Sequence, residues 1–366
     1  MFEVLKAWFI KYFGEAEAAI LLISLLVSVI VIWLFGRILA PLFAGIIIAY
    51  LLEGIITPLQ KHLKFPRALA IATVFLAFLG LLAFAVVALI PMFARQLSQF
   101  IDQIPSDLNQ LYSYLNNLSA TYPTMISPTL VQNLINGANL NMNVVTHFGN
   151  NVLTNSLASL STIMTWLVYV FMVPLLTFFL LKDKNTLISG ASEFMPEHRG
   201  LIMEVWHEMR KLLGRYVRGK ALEVSIVTIA TWIAFASFKL NYAFLFAFLT
   251  GLSAILPYIG LIIVTIPVTS AALFQFGLNV DFFYIMLAYG IIQVLDGNVL
   301  VPLLFSEAMN LNPVVIITAV LFFGGLWGFW GLFFAIPLAT LVKAVVQAWI
   351  RHANRASNAA DHVHVD

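Results

Sequence analysis

The sequence predicts an all-α polytopic membrane protein of about eight transmembrane segments, two of them broken by glycine and proline or re-entrant. It also predicts a small helical extracytoplasmic cap and a cytoplasmic amphipathic helix. Three observations carry this reading. Hydrophobic residues make up 61% of the 366 and charged residues only 10%, with a mean hydropathy of +0.96. Apolar runs exceed the ~18 residues that argue for a span over a buried core helix. Short basic loops and one long polar stretch separate these runs, as expected where only helices with internally paired backbones enter hydrocarbon.

Composition also excludes several functions. A net charge of +2 with scattered basic residues is no footprint for nucleic acid. The absence of cysteine removes disulfides, thiolate metal sites and cysteine nucleophiles. No Walker-type phosphate loop, serine nucleophile elbow or His-Glu-x-x-His pattern is present. The expectation is a protein that is not an enzyme and has no cofactor or metal site, so that active transport would be ion-coupled. The N-terminus lacks a small-residue cleavage site behind a short apolar core, and the first apolar segment reads as a retained span.

Residues 1–93 hold the first three segments. Spans over 16–35 and 38–56 are separated by a tight turn at Arg37 and Pro41, and a third over 68–93 is closed by Pro91. Residues 94–156 turn polar and rich in Asn, Ser and Thr, with Pro105, Pro123 and Pro128 as punctuation. Leu97, Phe100, Ile101, Ile104, Leu108 and Leu111 still recur at helical spacing, which predicts short amphipathic helices in a cap. Residues 157–181 form a fourth span with Pro174 inside it. Residues 182–220 are basic, and 201–217 place Ile202, Val205, Trp206, Met209 and Leu213 on one face, the pattern of a helix lying on an anionic leaflet. Residues 221–350 form a C-terminal bundle with spans over 221–238, 242–276, 282–304 and 313–350, followed by a polar tail, 351–366, read as disordered.

Lys and Arg counts orient the chain. Eight lie in 182–220 and three in the loop after the second span, against Arg95 alone in 94–156. The basic loops and both termini are therefore expected in the cytoplasm. With both ends inside, the two broken segments must either both cross or both turn back.

The broken segments share a pattern: Gly260-Leu-Ile-Ile-Val-Thr-Ile-Pro267 matches Gly331-Leu-Phe-Phe-Ala-Ile-Pro337. Gly251 and Pro257 precede the first, and Gly324, Gly325 and Gly328 the second. Paired interruptions of this kind point to a transporter's substrate site, because unwound turns leave backbone groups free to bind; the same glycines also serve close helix packing. Between the segments, Tyr289, Gln293 and Asp296 fall on one helical face. A carboxylate at mid-span costs about 2.5–3.5 kcal/mol on insertion scales and usually has a task. The stripe could bind a polar solute or a cation, or carry a proton; alternatively Asp296-Gly297-Asn298 is a turn in which Asp296 caps a broken helix. Asn298 projects elsewhere and can satisfy backbone groups. Lys220 and Glu223, at i and i+3, read as a boundary ion pair.

LAPLFAGIIIAYLLEG (39–54), ILPYIGLIIVTIPV (255–268), QVLDGNVLVPLLFSEAMNLNP (293–313) and FGGLWGFWGLFFAIPLATLVKA (323–344) resemble the autoinducer-2 exporter family of bacterial membrane proteins, especially its PerM-type permeases. The resemblance covers nearly the whole membrane part. It implies an inner-membrane protein and a homo-oligomer, plausibly pentameric, in a family associated with autoinducer-2 export and in some members with sodium/proton antiport. It implies importance, without assigning roles, for Pro257, Tyr258, Gly260, Asp296, Asn298, Pro302, Gly324, Gly325, Gly328, Gly331 and Pro337. The function expected is a permease or secondary transporter exporting a small polar solute. A sodium (cation)/proton antiporter and an oligomeric channel or scaffold are the alternatives. Its partners would be the lipid bilayer, the solute or cation, and further copies of itself, with no nucleic acid.

Overall fold

A computed structural model describes residues 16–121, 160–193, 200–257, 259–305 and 311–343. The described residues are helical, joined by short turns. In chain order the helices are α1 (Ala16–Leu63), α2 (Arg67–Phe84), α3 (Ile90–Thr121), α4 (Leu160–Lys182), α5 (Lys184–Glu193) and α6 (Gly200–Ser237). There follow α7 (Ala243–Ser253), α8 (Ile259–Phe276), α9 (Val280–Leu295), α10 (Val301–Phe305), α11 (Pro313–Trp327) and α12 (Phe329–Lys343). Among the described residues, five helical stretches are long and apolar enough to cross a membrane, or six if α4 and α5, bent by 81°, count as one span. The chain is an all-α polytopic membrane protein.

Several expected breaks are absent. The turn at Arg37 and Pro41 does not form, and α1 runs through it for 48 residues. Proline removes one amide from the ladder, whereas a turn in an apolar run would strand several carbonyls away from water. Pro91 does not end the third segment, because α2 continues through a π-helical turn, Ala85–Leu89, into α3. Pro105 lies inside α3, which is one 32-residue helix in place of several short ones. The rest of the expected cap, 122–159, and the tail lie outside the described residues. The amphipathic stretch 201–217 and the fifth span are one helix, α6, so that stretch is not a separate surface helix.

Two packing centres hold the bundle. Ala49, Leu52 and Ile56 of α1 pack with Ala70, Ile71 and Val74 of α2 and Leu181 of α4. At their ends Glu53 Oε1 lies 2.9 Å from Lys184 Nζ and 3.8 Å from Arg67 Nη2, and Arg67 donates to the Leu181 carbonyl. That network ties four helices at the 81° bend. The second centre joins Phe235 of α6, Leu245 and Phe246 of α7, Val264, Val268, Ala271 and Ala272 of α8, and Ile285 and Tyr289 of α9. Phe93, Leu97 and Phe100 of α3 pack against it.

Both glycine- and proline-broken segments are helical hairpins. A Cβ on Gly260 would lie 2.0 Å from the Ser253 carbonyl oxygen, and one on Gly331 would lie 1.8 Å from that of Phe323. Residues seven or eight apart along one straight helix are far too distant for this; the chain doubles back. Ile316, Ala319 and Val320 of α11 pack on Ala335 and Ala339 of α12, as antiparallel arms require. At 1.5 Å per residue, the 11 residues of α7 and 15 of α11 span ~17 and ~22 Å, short of the ~30 Å hydrocarbon core. Gly328, at φ +59°, makes the second reversal, a backbone conformation that favours glycine. Ile259, at the tip of the first hairpin, packs on the core of the second.

Candidate functional site

The site is built around α6, which packs on α1, α7, α9 and α10. Its buried face carries Tyr216, Lys220, Glu223, Val227, Thr231 and Phe235, a helical stripe of mixed polarity. Lys220 Nζ donates to Glu223 Oε2 at 2.8 Å, with the two side chains 5% and 2% exposed. The pair is thus buried against neighbouring helices of the bundle. A buried pair of this kind survives because each charge would be far costlier alone. Lys220 also lies over the Phe305 ring, 5.4 Å from its centroid, and the charges of both Lys220 and Glu223 reach Asp296.

Asp296 does not sit at a break. It follows the last residue of α9 and begins a π-helical turn, Asp296–Leu300, through which the helix continues into α10. The Asp-Gly-Asn turn is thus absent, and Asn298 spends its amide on the Val294 carbonyl of its own helix, 2.9 Å away. Asp296 is half-buried, and its Oδ1 is buried without a hydrogen-bond partner in the protein. The same holds for Nε2 of Gln293, the preceding polar residue of the stripe. Tyr289 is buried beneath Phe235, with stacked rings 5.9 Å apart. Its hydroxyl meets Thr265 Oγ1 at 3.0 Å and lies near Thr250 and Gln293, with Gln293 Nε2 outside hydrogen-bond geometry.

The other expected positions divide by hairpin. Gly251 packs its backbone on α6, since a Cβ there would meet Thr228 Oγ1 at 1.9 Å and the Val224 carbonyl at 2.7 Å. Pro257 lies in the first reversal and Pro267 inside α8. Tyr258 lies outside the described residues. Gly331 closes the second hairpin, Pro337 is buried in α12, and Gly325 has open space around it. Pro302 is exposed on α10. The structure thus gathers Lys220, Glu223, Gln293, Asp296, Tyr289 and Gly251 around one seam between α6, α7 and α9. Asn298, Pro302 and Gly325 face elsewhere.

Thr228, Thr231, Thr250 and Thr265 are seam residues that no sequence motif marks. Their signal on α6 was available: Lys220, Glu223, Thr231 and Phe235 follow the helical period within an otherwise apolar run. Thr250 and Thr265 come from the two arms of a hairpin, and only the fold brings them to Tyr289.

A profile of the AI-2E family of transporters matches residues 22–351. The chain belongs to that family. It is 44% identical over 349 residues to a protein named as a permease, PerM, of Escherichia coli (strain K12), covering 95% of this chain and 98% of the relative. It is also similar to a Bacillus subtilis (strain 168) protein named as a transport protein, YueF, at 26% identity over 83% of each chain. Against the AI-2 transport protein TqsA of Escherichia coli (strain K12) the identity is 23%, over 89% of this chain and 91% of that one. Within the AI-2E family match lie both hairpins, the Lys220–Glu223 pair and Asp296.

Proposed function

We propose that this protein is a secondary transporter of the bacterial inner membrane that exports a small polar solute. In this reading Asp296 and Gln293 contact the solute or its coupling ion, and the hairpins gate the path. One observation carries it: Asp296 Oδ1 and Gln293 Nε2 share a face of α9 and are buried without protein partners, and Asp296 lies within electrostatic reach of the Lys220–Glu223 pair. An acceptor and a donor left open together suit a ligand with hydroxyl groups, since buried polar groups otherwise find partners. A small polyhydroxylated solute of the autoinducer-2 kind fits that chemistry, and the relative named as an AI-2 transport protein supports it.

The hairpins add the means of access. The first opens toward the α6–α7 connection and the second toward the α10–α11 connection, and because the continuous α9–α10 stretch crosses once between them they enter from opposite faces. Short arms with glycine-tight tips can shift as units without breaking long helices. Assembly into a homo-oligomer, pentameric by resemblance, would shield the apolar faces of α2 and α9.

Counterflow in proteoliposomes of the purified protein tests this, with radiolabelled small polyols and autoinducer-2 as probes. Saturable exchange is expected, reduced at least about tenfold by Asp296→Asn with assembly unchanged. Non-saturating flux would mark a pore, and full exchange by the variant would remove Asp296 from the mechanism.

A further inference from the structure

The register between α6 and α9 brings together more than the expected stripe. Two contacts fix it. A Cβ on Gly219 would lie 2.8 Å from the Phe305 ring, and Phe235 stacks on Tyr289. Stepping between these anchors along antiparallel helices sets Gln293 opposite Thr231 and Asp296 opposite Thr228. Thr231 is fully buried, and its Oγ1 has no hydrogen-bond partner in the protein. Three orphaned polar atoms, Thr231 Oγ1, Gln293 Nε2 and Asp296 Oδ1, therefore fall in one seam that α7 covers where Gly251 abuts Thr228. Beyond Gln293 the seam runs on into the hydroxyls of Tyr289, Thr265 and Thr250.

From this placement we infer that the α6–α9 seam holds internal water linking Asp296 to the Tyr289–Thr265–Thr250 hydroxyls, and that Asp296 exchanges a proton, not a metal cation. Internal waters characteristically bridge buried polar groups that lack other partners. Thr265 and Thr250 already donate to the Leu261 and Phe246 carbonyls, so in this row their oxygens accept, and the proton's carriers are the water and the Tyr289 hydroxyl. A metal cation needs several oxygen ligands and no facing donors, whereas Gln293 Nε2 is an open donor on the same face of α9 and the Lys220 charge acts on Asp296. The charged or titratable groups facing Asp296 are Lys220 and Glu223 of α6 and Tyr289 of its own helix; α7, α8 and α10 contribute none. One ammonium between two carboxylates leaves a single negative charge, which one proton neutralises.

This rests on the transport role of Asp296, but its test reads the proton directly. Infrared difference spectra of the purified protein, titrated in pH and in sodium, should contain a carboxylic-acid carbonyl band that is lost in Asp296→Asn. The band should be indifferent to sodium at constant pH. In Thr231→Val it should persist at a shifted frequency and exchange deuterium several-fold more slowly. Displacement of the band by sodium, absence of any band assigned to Asp296 at every pH, or unchanged exchange in Thr231→Val would each overturn the inference. Solute exchange that depends on Asp296 without such a band would leave the transport reading standing and remove only the proton.

Discussion

In the first hairpin, α7 and α8 turn Thr250 and Thr265 inward to the Tyr289 hydroxyl, and α7 lays its backbone on α6 one residue beyond Glu223. In the second, Ile316, Ala319 and Val320 of α11 pack against Ala335 and Ala339 of α12, and the one buried open polar atom among its described residues is Trp327 Nε1 at the reversal. Its polar tie to the bundle is at the side, where the Tyr216 hydroxyl donates to the Phe333 carbonyl at 2.8 Å. The Tyr216 ring lies between Phe305 and Phe333, and Trp330 meets Phe43 of α1. A shared glycine pattern thus closes two reversals with different linings. One completes a polar seam, and the other is an apolar wedge held by aromatic contacts.

The largest effect should fall on the seam. Glu223→Gln leaves the Lys220 ammonium buried without its carboxylate, and breaking a buried pair costs about 3–5 kcal/mol. Denaturant unfolding of the purified protein should report that loss. Ile316→Val in the apolar wedge should cost about 0.5–1.5 kcal/mol by the same measurement. Equal losses would erase the contrast between the two linings.

An intermediate effect tests what the hairpins share. Gly260→Ala and Gly331→Ala each press a methyl into a carbonyl across the reversal, for about 1–3 kcal/mol. Gly325→Ala, with open space around it, should stay within about 0.5 kcal/mol. Thermal stability by size-exclusion recovery after heating should rank the three. A harmless Gly260→Ala would mean that its reversal is looser than that of Gly331.

The smallest effect separates function from support. Tyr289→Phe and Tyr216→Phe each remove one hydroxyl and should each cost about 1 kcal/mol of stability. Only Tyr289→Phe should slow solute exchange in proteoliposomes, because only that hydroxyl lies on the seam. Equal slowing by Tyr216→Phe would assign the second hairpin a part in the path as well.

Much of this was readable from the chain. The Gly260–Pro267 and Gly331–Pro337 pairing marked both hairpins, and the Tyr289–Gln293–Asp296 stripe marked one wall of the seam. The alternative turn at Asp296-Gly297-Asn298 and the turn expected at Pro41 fail to form for a common reason. Turn propensities are set in water, and inside an apolar bundle a continuous helix is the cheaper way to satisfy the backbone.

By itself the sequence determined the membrane class, the family and the two glycine- and proline-interrupted segments, because these depend on composition and on residues that act within a few positions of themselves. Only the tertiary structure decided that Lys220 and Glu223 are buried in the bundle, that Phe235 stacks on Tyr289, and that Thr265 reaches the Tyr289 hydroxyl. The last two are meetings between residues tens of positions apart. They are set by the antiparallel register of α6 with α9 and the close backbone approach at Gly219 and Gly251, which no local pattern encodes.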